Sequence, residues 1–298
     1  MTVISSLTPN QIAGLSTTAI NGLSTTDIQS LATTQVAALA ATQVNALNST
    51  DIKAFFATQI AAFSPSIINA LLAAQVQNFV DTQVSALTAT EVSKLSAAQI
   101  ATLSSTELQN LTTTQANALT ATQIGTLSNA VIDKLSTTQI GNLSTTQVQG
   151  LTATQLNGIG TTNLDALNVS KLSTAQVQGI NTTAFGNLTA TQVSTLTAAE
   201  ISALSTGDLN QLTTTEISAF TATQVGGLTS TQIGALSTAR FDAITSTTGI
   251  PAISIAAIAG LTTTEISSLN TTQGNAFTPT QIEAMSIAQL DALITLVG

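Results

Sequence analysis

The chain has 298 residues, of which 6% are charged, and it contains no Cys, His, Trp or Tyr. About a quarter of an ordinary globular sequence is charged, so solubility here rests on hydroxyls and amides. A formal charge of −9 with the acids scattered singly leaves no basic stripe for nucleic acid, and the missing His and Cys remove the usual transition-metal ligands, imidazole base and thiol nucleophile.

The chain opens with a lead-in, 1–6, that carries neither a basic segment nor an apolar run and does not read as a cleaved signal peptide. From Leu7 a Leu, Phe or Ile returns at every eighth residue as far as Leu167, which defines twenty octads over 7–166. A five-residue unit, LNVSK at 167–171, breaks the count, and nine octads follow over 172–243. A nine-residue unit, ITSTTGIPA at 244–252, breaks it again; five octads over 253–292 then lead to a tail at 293–298. Self-similarity at a fixed short period marks a solenoid. The two irregular units are expected to be joints where the superhelical path changes direction or pitch, with Pro251 removing an amide donor from the second. The longest apolar stretch, Ile250 to Gly260, falls far short of the ~20 residues that span a bilayer, so no membrane span is expected.

Among the 34 octads, position 2 is Ser, Thr or Asn in 28 and position 5 is Gln or Glu in 24. Ser/Thr-x-x-Gln/Glu is the capping box, in which the hydroxyl accepts from the N3 amide and the N3 side chain reaches back to the N-cap amide. The Leu at position 1 and the Ile or Val at position 6 are then N′ and N4, the two halves of a hydrophobic staple. Position 8 is mostly Ala, Gly or Asn, and Gly and Asn suit a left-handed helix exit. The pattern predicts an all-α solenoid of helices about five or six residues long, each stopped by the N-cap of the next. One continuous helix is rejected, because an eight-residue repeat would rotate the apolar stripe by about 80° each time. The competing reading is a β-solenoid, favoured by the Thr, Ile and Val content, although strict alternation would put positions 1 and 6 on opposite faces. As one cap among many, Gln139 is expected to cost under about 1 kcal/mol when replaced by Ala.

Chemistry-bearing residues dissolve into this pattern. Asp27, Asp51, Glu91, Glu107, Glu200, Glu216 and Glu265 all occupy position 5 and read as capping-box acids. No single hydroxyl stands out as a nucleophile, and no EF-hand loop is present. The Asn-x-Ser/Thr sequons at Asn110, Asn142 and Asn187 arise from the repeat word itself. No catalytic, cofactor or metal-binding residue is expected, and no enzyme activity. One region departs from the rule: position 2 becomes apolar at Phe56, Leu72 and Val80, which makes these three a candidate interaction patch. The two ends are also apolar, with Val3 and Ile4 at one and Leu293, Ile294, Leu296 and Val297 at the other. Head-to-tail association of copies is the expectation there, against the alternative that both tails fold back as caps.

The word Leu-Ser/Thr-x-Thr-Gln-Ile/Val-x-Ala/Gly/Asn, as in LSTTQIGN from Leu135, resembles the octad-repeat tracts of large bacterial surface and secreted proteins. An acidic, Cys-free, Thr-rich chain is also similar to surface-layer and adhesin polypeptides exported without a cleaved signal. The resemblance implies a structural, self-associating role at the cell surface or outside the cell, with a cytoplasmic location as the alternative. A scaffold that binds a protein or glycan is the second functional reading. Ice or crystal-surface binding through ranks of Thr is the third.

Overall fold

The computed structural model describes residues 3–298, and within them every regular element is helical. There are 34 α-helices and three 3-10 turns among the described residues, and no strand. The chain is an all-α solenoid, which excludes the β-solenoid. Its contacts divide it into two compact units, Met1–Leu151 and Thr152–Gly298. That boundary falls inside an unbroken run of octads, and both irregular segments lie within the second unit.

The local rule is visible in one octad. Ser136 sits in extended backbone (φ −71°, ψ 156°), and its Oγ accepts from the Gln139 amide at 3.2 Å. Gln139 Oε1 accepts in return from the Ser136 amide at 3.0 Å. The helix Thr137–Gly141 then runs for one turn and stops. Every helix has four to six residues except the last, Ile287–Val297, which has eleven. Helices this short are unstable alone, so packing has to hold them. Most of positions 6 and 1 are buried, as at Ile140 and Leu143, and they line the interior of each unit.

The helix exits differ from expectation. No described residue has a positive φ, glycine included. Position 8 stays right-handed, as at Gly14 (φ −83°), and an extended residue then leads into the next cap. Glycine serves a different need: close approach between successive turns. A Cβ on Gly260 would lie 1.9 Å from the Ser230 carbonyl oxygen, so only glycine fits that contact.

Stacking of turns is carried by position 5. In the first unit Gln83 is fully buried, and its Oε1 accepts from the Val80 amide. Its Nε2 donates to the carbonyls of Ile52 (2.9 Å) and Phe55 (2.8 Å), which lie 31 and 28 residues earlier. Gln59, Gln99, Gln123, Gln139 and Gln147 repeat the same pair of reaches. In the second unit Gln224, Gln232, Gln281 and Gln289 do so as well. A reach of 28 residues is three and a half octads, which sets the superhelical turn at about that length.

The irregular units keep this count. Gln192 reaches back 28 and 25 residues, to Leu164 and Leu167, because the five-residue unit takes three residues out of the path. Gln273 reaches Asp242 and Ile244, 31 and 29 residues back, across the nine-residue unit. Each irregular unit therefore acts as one repeat in the ladder. A 3-10 turn replaces the α-helix in both, Val169–Lys171 and Ile250–Ala252, and its apolar residue takes the buried place of position 6.

These bonds change the expected effect of a single glutamine. Removing Gln83 leaves one amide and two carbonyls short of a partner inside the core, at roughly 1 kcal/mol or more each. Gln83→Ala is predicted to destabilise the chain by about 2–4 kcal/mol in a urea titration. The same revision applies to Gln139, which donates to Leu108 and Leu111. A loss below about 1 kcal/mol would mean that the residue only caps its helix.

Candidate interaction surfaces

Where position 2 is apolar, half of the capping box is gone. Phe56, Leu72 and Val80 provide no side-chain acceptor to their helices. Gln59 and Gln83 still accept from the Phe56 and Val80 amides, so the return half of the box survives. Phe56 is 53% exposed, Leu72 57% and Val80 37%.

The structure brings the helices of two of the three together. The helix Ala57–Ile60, entered at Phe56, packs directly against Asp81–Ala86, entered at Val80. Between them the Gln83 amide binds the Phe55 carbonyl, one residue before Phe56. Leu72 stands elsewhere: its helix Ala73–Val76 packs against Ala97–Thr102, and its amide is taken by Asn45 Oδ1 at 2.9 Å. Asn45 thereby displaces Gln75 from its own cap, and Gln75 Oε1 is left buried without a partner.

Beside Val80 runs an open groove of about 550 Å³ lined by Lys53, Gln77, Phe79, Val80, Asp81, Thr82 and Glu107. It joins an apolar floor to one cation and two carboxylates. The neighbouring Asp51 carboxyl is pushed above its ordinary value by burial, against the lowering effect of the Asn48 hydrogen bond. Beneath the surface, Phe55 and Phe63 meet edge to face at 5.5 Å and are both buried. The local excess of Phe thus divides into core residues at position 1 and one surface residue, Phe56.

The end residues divide too. The Val3 side chain lies outside the described residues. Ile4 is buried, and its carbonyl accepts from Gln35 Nε2 at 3.1 Å. At the other end Leu293 is buried and Leu296 and Val297 are half-buried. These three lie over Gly274, where a glycine replaces the usual Ile or Val of position 6; a Cβ there would stand 2.7 Å from the Val297 side chain. The long last helix packs on Thr263–Ser268 and Thr271–Gly274 of its own unit. What it leaves outside is Ile294, at 56% exposure, and Ile287, at 82%. Seven residues apart on a helix, they share one face with half-buried Leu290 between them. Sequence reasoning passes over Ile287 because its octad keeps a complete capping box; the signal that could have found it is an Ile at position 3, as also at exposed Ile255.

The acids at position 5 do what the sequence implies and something more. Glu91 Oε2 accepts from the Thr88 amide at 2.6 Å, and Glu265 Oε2 from the Thr262 amide at 2.7 Å. Their second oxygens, and Oδ1 of Asp208, are buried without a hydrogen-bond partner. Burial pushes both glutamates above the ordinary value. Elsewhere a basic side chain does the work of the amide. Arg240, itself at position 5, donates from Nε to the Leu212 carbonyl at 2.7 Å. Where Val131 occupies position 5, Lys134 reaches in and donates to the Leu103 carbonyl at 2.7 Å. Both carbonyls are ones that a glutamine would have claimed. Among the described residues no three His, Cys, Asp or Glu come together as a metal-ligating group, and no helix is long and apolar enough to cross a membrane.

The ALTTAQ repeat family matches residues 201–238, a stretch that includes the words LTTTEISA, FTATQVGG and LTSTQIGA. This supports a repeat region there. No curated protein matches the chain.

The patch at position 2 yields a stability test. Phe56→Thr and Val80→Thr each restore a capping hydroxyl and remove exposed apolar surface. Each is predicted to raise stability by about 0.5–1 kcal/mol in chemical denaturation. A loss of more than about 1 kcal/mol on either change would show that the side chain is part of the packing rather than of a surface.

Proposed function

We propose that the chain is a structural, self-associating repeat protein of the cell surface or the extracellular space, acting through surface contacts rather than catalysis. The observation that carries this reading is the outer face of the last helix, where Ile287, Leu290 and Ile294 line up in a chain whose other outward positions are mostly Ser, Thr and Ala. Large apolar side chains in a row on an outer face mark contact surfaces. The likeness of the octad to repeats of bacterial surface proteins supports the setting. A contact between this face and a different surface of another copy is heterologous and propagates into a filament unless rotation closes a ring.

A second reading, a scaffold for another protein or a glycan, is favoured by the exposed Phe56 and Val80 on adjacent helices and the mixed-charge groove beside Val80. The Thr-rank reading is disfavoured by the turn. At three and a half octads per turn, equivalent threonines on successive turns are offset by half an octad and do not stack into straight ranks.

Light scattering and sedimentation against concentration test the proposal. The wild type is expected to form assemblies that grow with concentration, and Ile287→Asp with Ile294→Asp to abolish them without loss of helical signal. Leu293 and Val297 are unsuitable for this purpose, because they pack on Gly274. A wild type that stays monomeric at high concentration, or assemblies unaffected by the two charges, would remove it.

A further inference from the structure

Glutamine at position 5 offers an acceptor to its own N-cap and a donor to the turn below. Glutamate has the same shape but no donor while it is ionised. Glu91 shows the consequence. Its Oε2 holds the Thr88 amide, so Oε1 occupies the place of the glutamine Nε2, and Oε1 is buried with no partner. The ladder on either side gives the register. Gln83 donates to Ile52 and Phe55, and Gln99 to Ile68 and Leu71. The corresponding carbonyls for Glu91, 31 and 28 residues back, are those of Ile60 and Phe63. Contact of its helix with Pro65–Ala70, which begins two residues after Phe63, agrees with this. Glu265 repeats the arrangement, with Oε2 on Thr262 and Oε1 buried and unpaired. Counting the nine-residue unit as one repeat, its carbonyls are those of Ile233 and Leu236, and its helix packs against Thr238–Phe241.

We propose that Glu91 and Glu265 are proton-operated latches between successive turns of the solenoid. Each carboxylate takes one proton from solvent on Oε1. The new O–H donates to a carbonyl of the turn below while Oε2 keeps its hold on the N-cap amide. Loss of that proton returns an anionic oxygen to a site facing carbonyl oxygens, and the two turns separate more easily. The surroundings favour the protonated form. The helices packed on Glu91, Pro65–Ala70 and Thr113–Asn117, carry no charged residue. Those packed on Glu265 bring Arg240, whose guanidinium is engaged by Leu212 and Ser237, and Asp291, which is exposed. Asp242 follows directly on the first of them, and its negative charge adds to the effect of burial at Glu265.

The direction of the pH effect follows. A carboxyl raised in the folded chain binds protons more tightly folded than unfolded, so its contribution is complete below the ordinary value of 4.5 and is lost as pH rises through the raised value. Glutamine at either position supplies the donor permanently. The test pairs thermal unfolding between about pH 4.5 and pH 7.5 with carbon NMR titration of the two carboxyls in the full chain. The wild-type Tm is expected to fall as pH rises. Glu91→Gln with Glu265→Gln is expected to remove most of that slope and to have the higher Tm at neutral pH, and both wild-type carboxyls to titrate above 4.5. A wild-type Tm that is flat or rises with pH, a glutamine variant less stable than wild type at neutral pH, or either carboxyl titrating at or below 4.5 would overturn the proposal. The NMR titration decides the matter alone if the double variant does not fold.

Discussion

A buried primary amide that accepts from its own helix start and donates to two carbonyls of the turn below is the interaction on which the rest of this structure depends. Each short helix has too few internal hydrogen bonds to persist. Each turn of the solenoid contributes apolar side chains at positions 1 and 6, yet apolar contact is non-directional and does not fix the register of one turn on the next. The glutamine does. Its bonds at Gln83, Gln99 and Gln232, between 2.7 and 2.9 Å, tie a helix entrance to the junction between two octads in the turn below. Buried amides without such partners would be costly. With them, the same groups specify one stacking.

Variation within the repeat follows from this constraint. Two units of the wrong length survive because the ladder counts units rather than residues: the reach of Gln192 shortens by three, and Gln273 spans the long unit. In two places where the amide is missing another donor arrives, Arg240 in one and Lys134 in the other. Glycine at position 8 or 7 is kept where backbones of successive turns nearly touch, as between Gly260 and Ser230. Gly274 has a different role, making room for the last helix to fold over its own unit.

Much of this fold was legible in the sequence because capping is local. Ser136 and Gln139 are three residues apart, and their reciprocal bonds need no knowledge of the rest of the chain. The helix type, its length and the buried faces followed from that spacing. The turn length did not, since it rests on contacts 28 and 31 residues apart that no short pattern encodes. The second job of glutamine was hidden for the same reason. A capping box is completed equally well by Gln or Glu at position 5, so nothing local separates Glu91 from Gln83, although only the latter can donate to the turn below while ionised acids cannot. Of the candidate surface residues, Phe56, Leu72 and Val80 are exposed as a missing cap implies, but their grouping depends on the turn and Leu72 falls outside it. At the chain end, hydrophobicity alone could not tell Leu293, which turns inward, from Ile294, which does not.

The glutamine side-chain amides make structural hydrogen bonds inside the solenoid, and their own protons report on it. Hydrogen exchange of the Nε2 protons, followed by NMR with exposed Gln11 as the internal reference, tests it most directly. Gln83, Gln99 and Gln232 are expected to exchange orders of magnitude more slowly than Gln11, and only as fast as the solenoid opens. Exchange of these buried amides at the rate of Gln11 would contradict it.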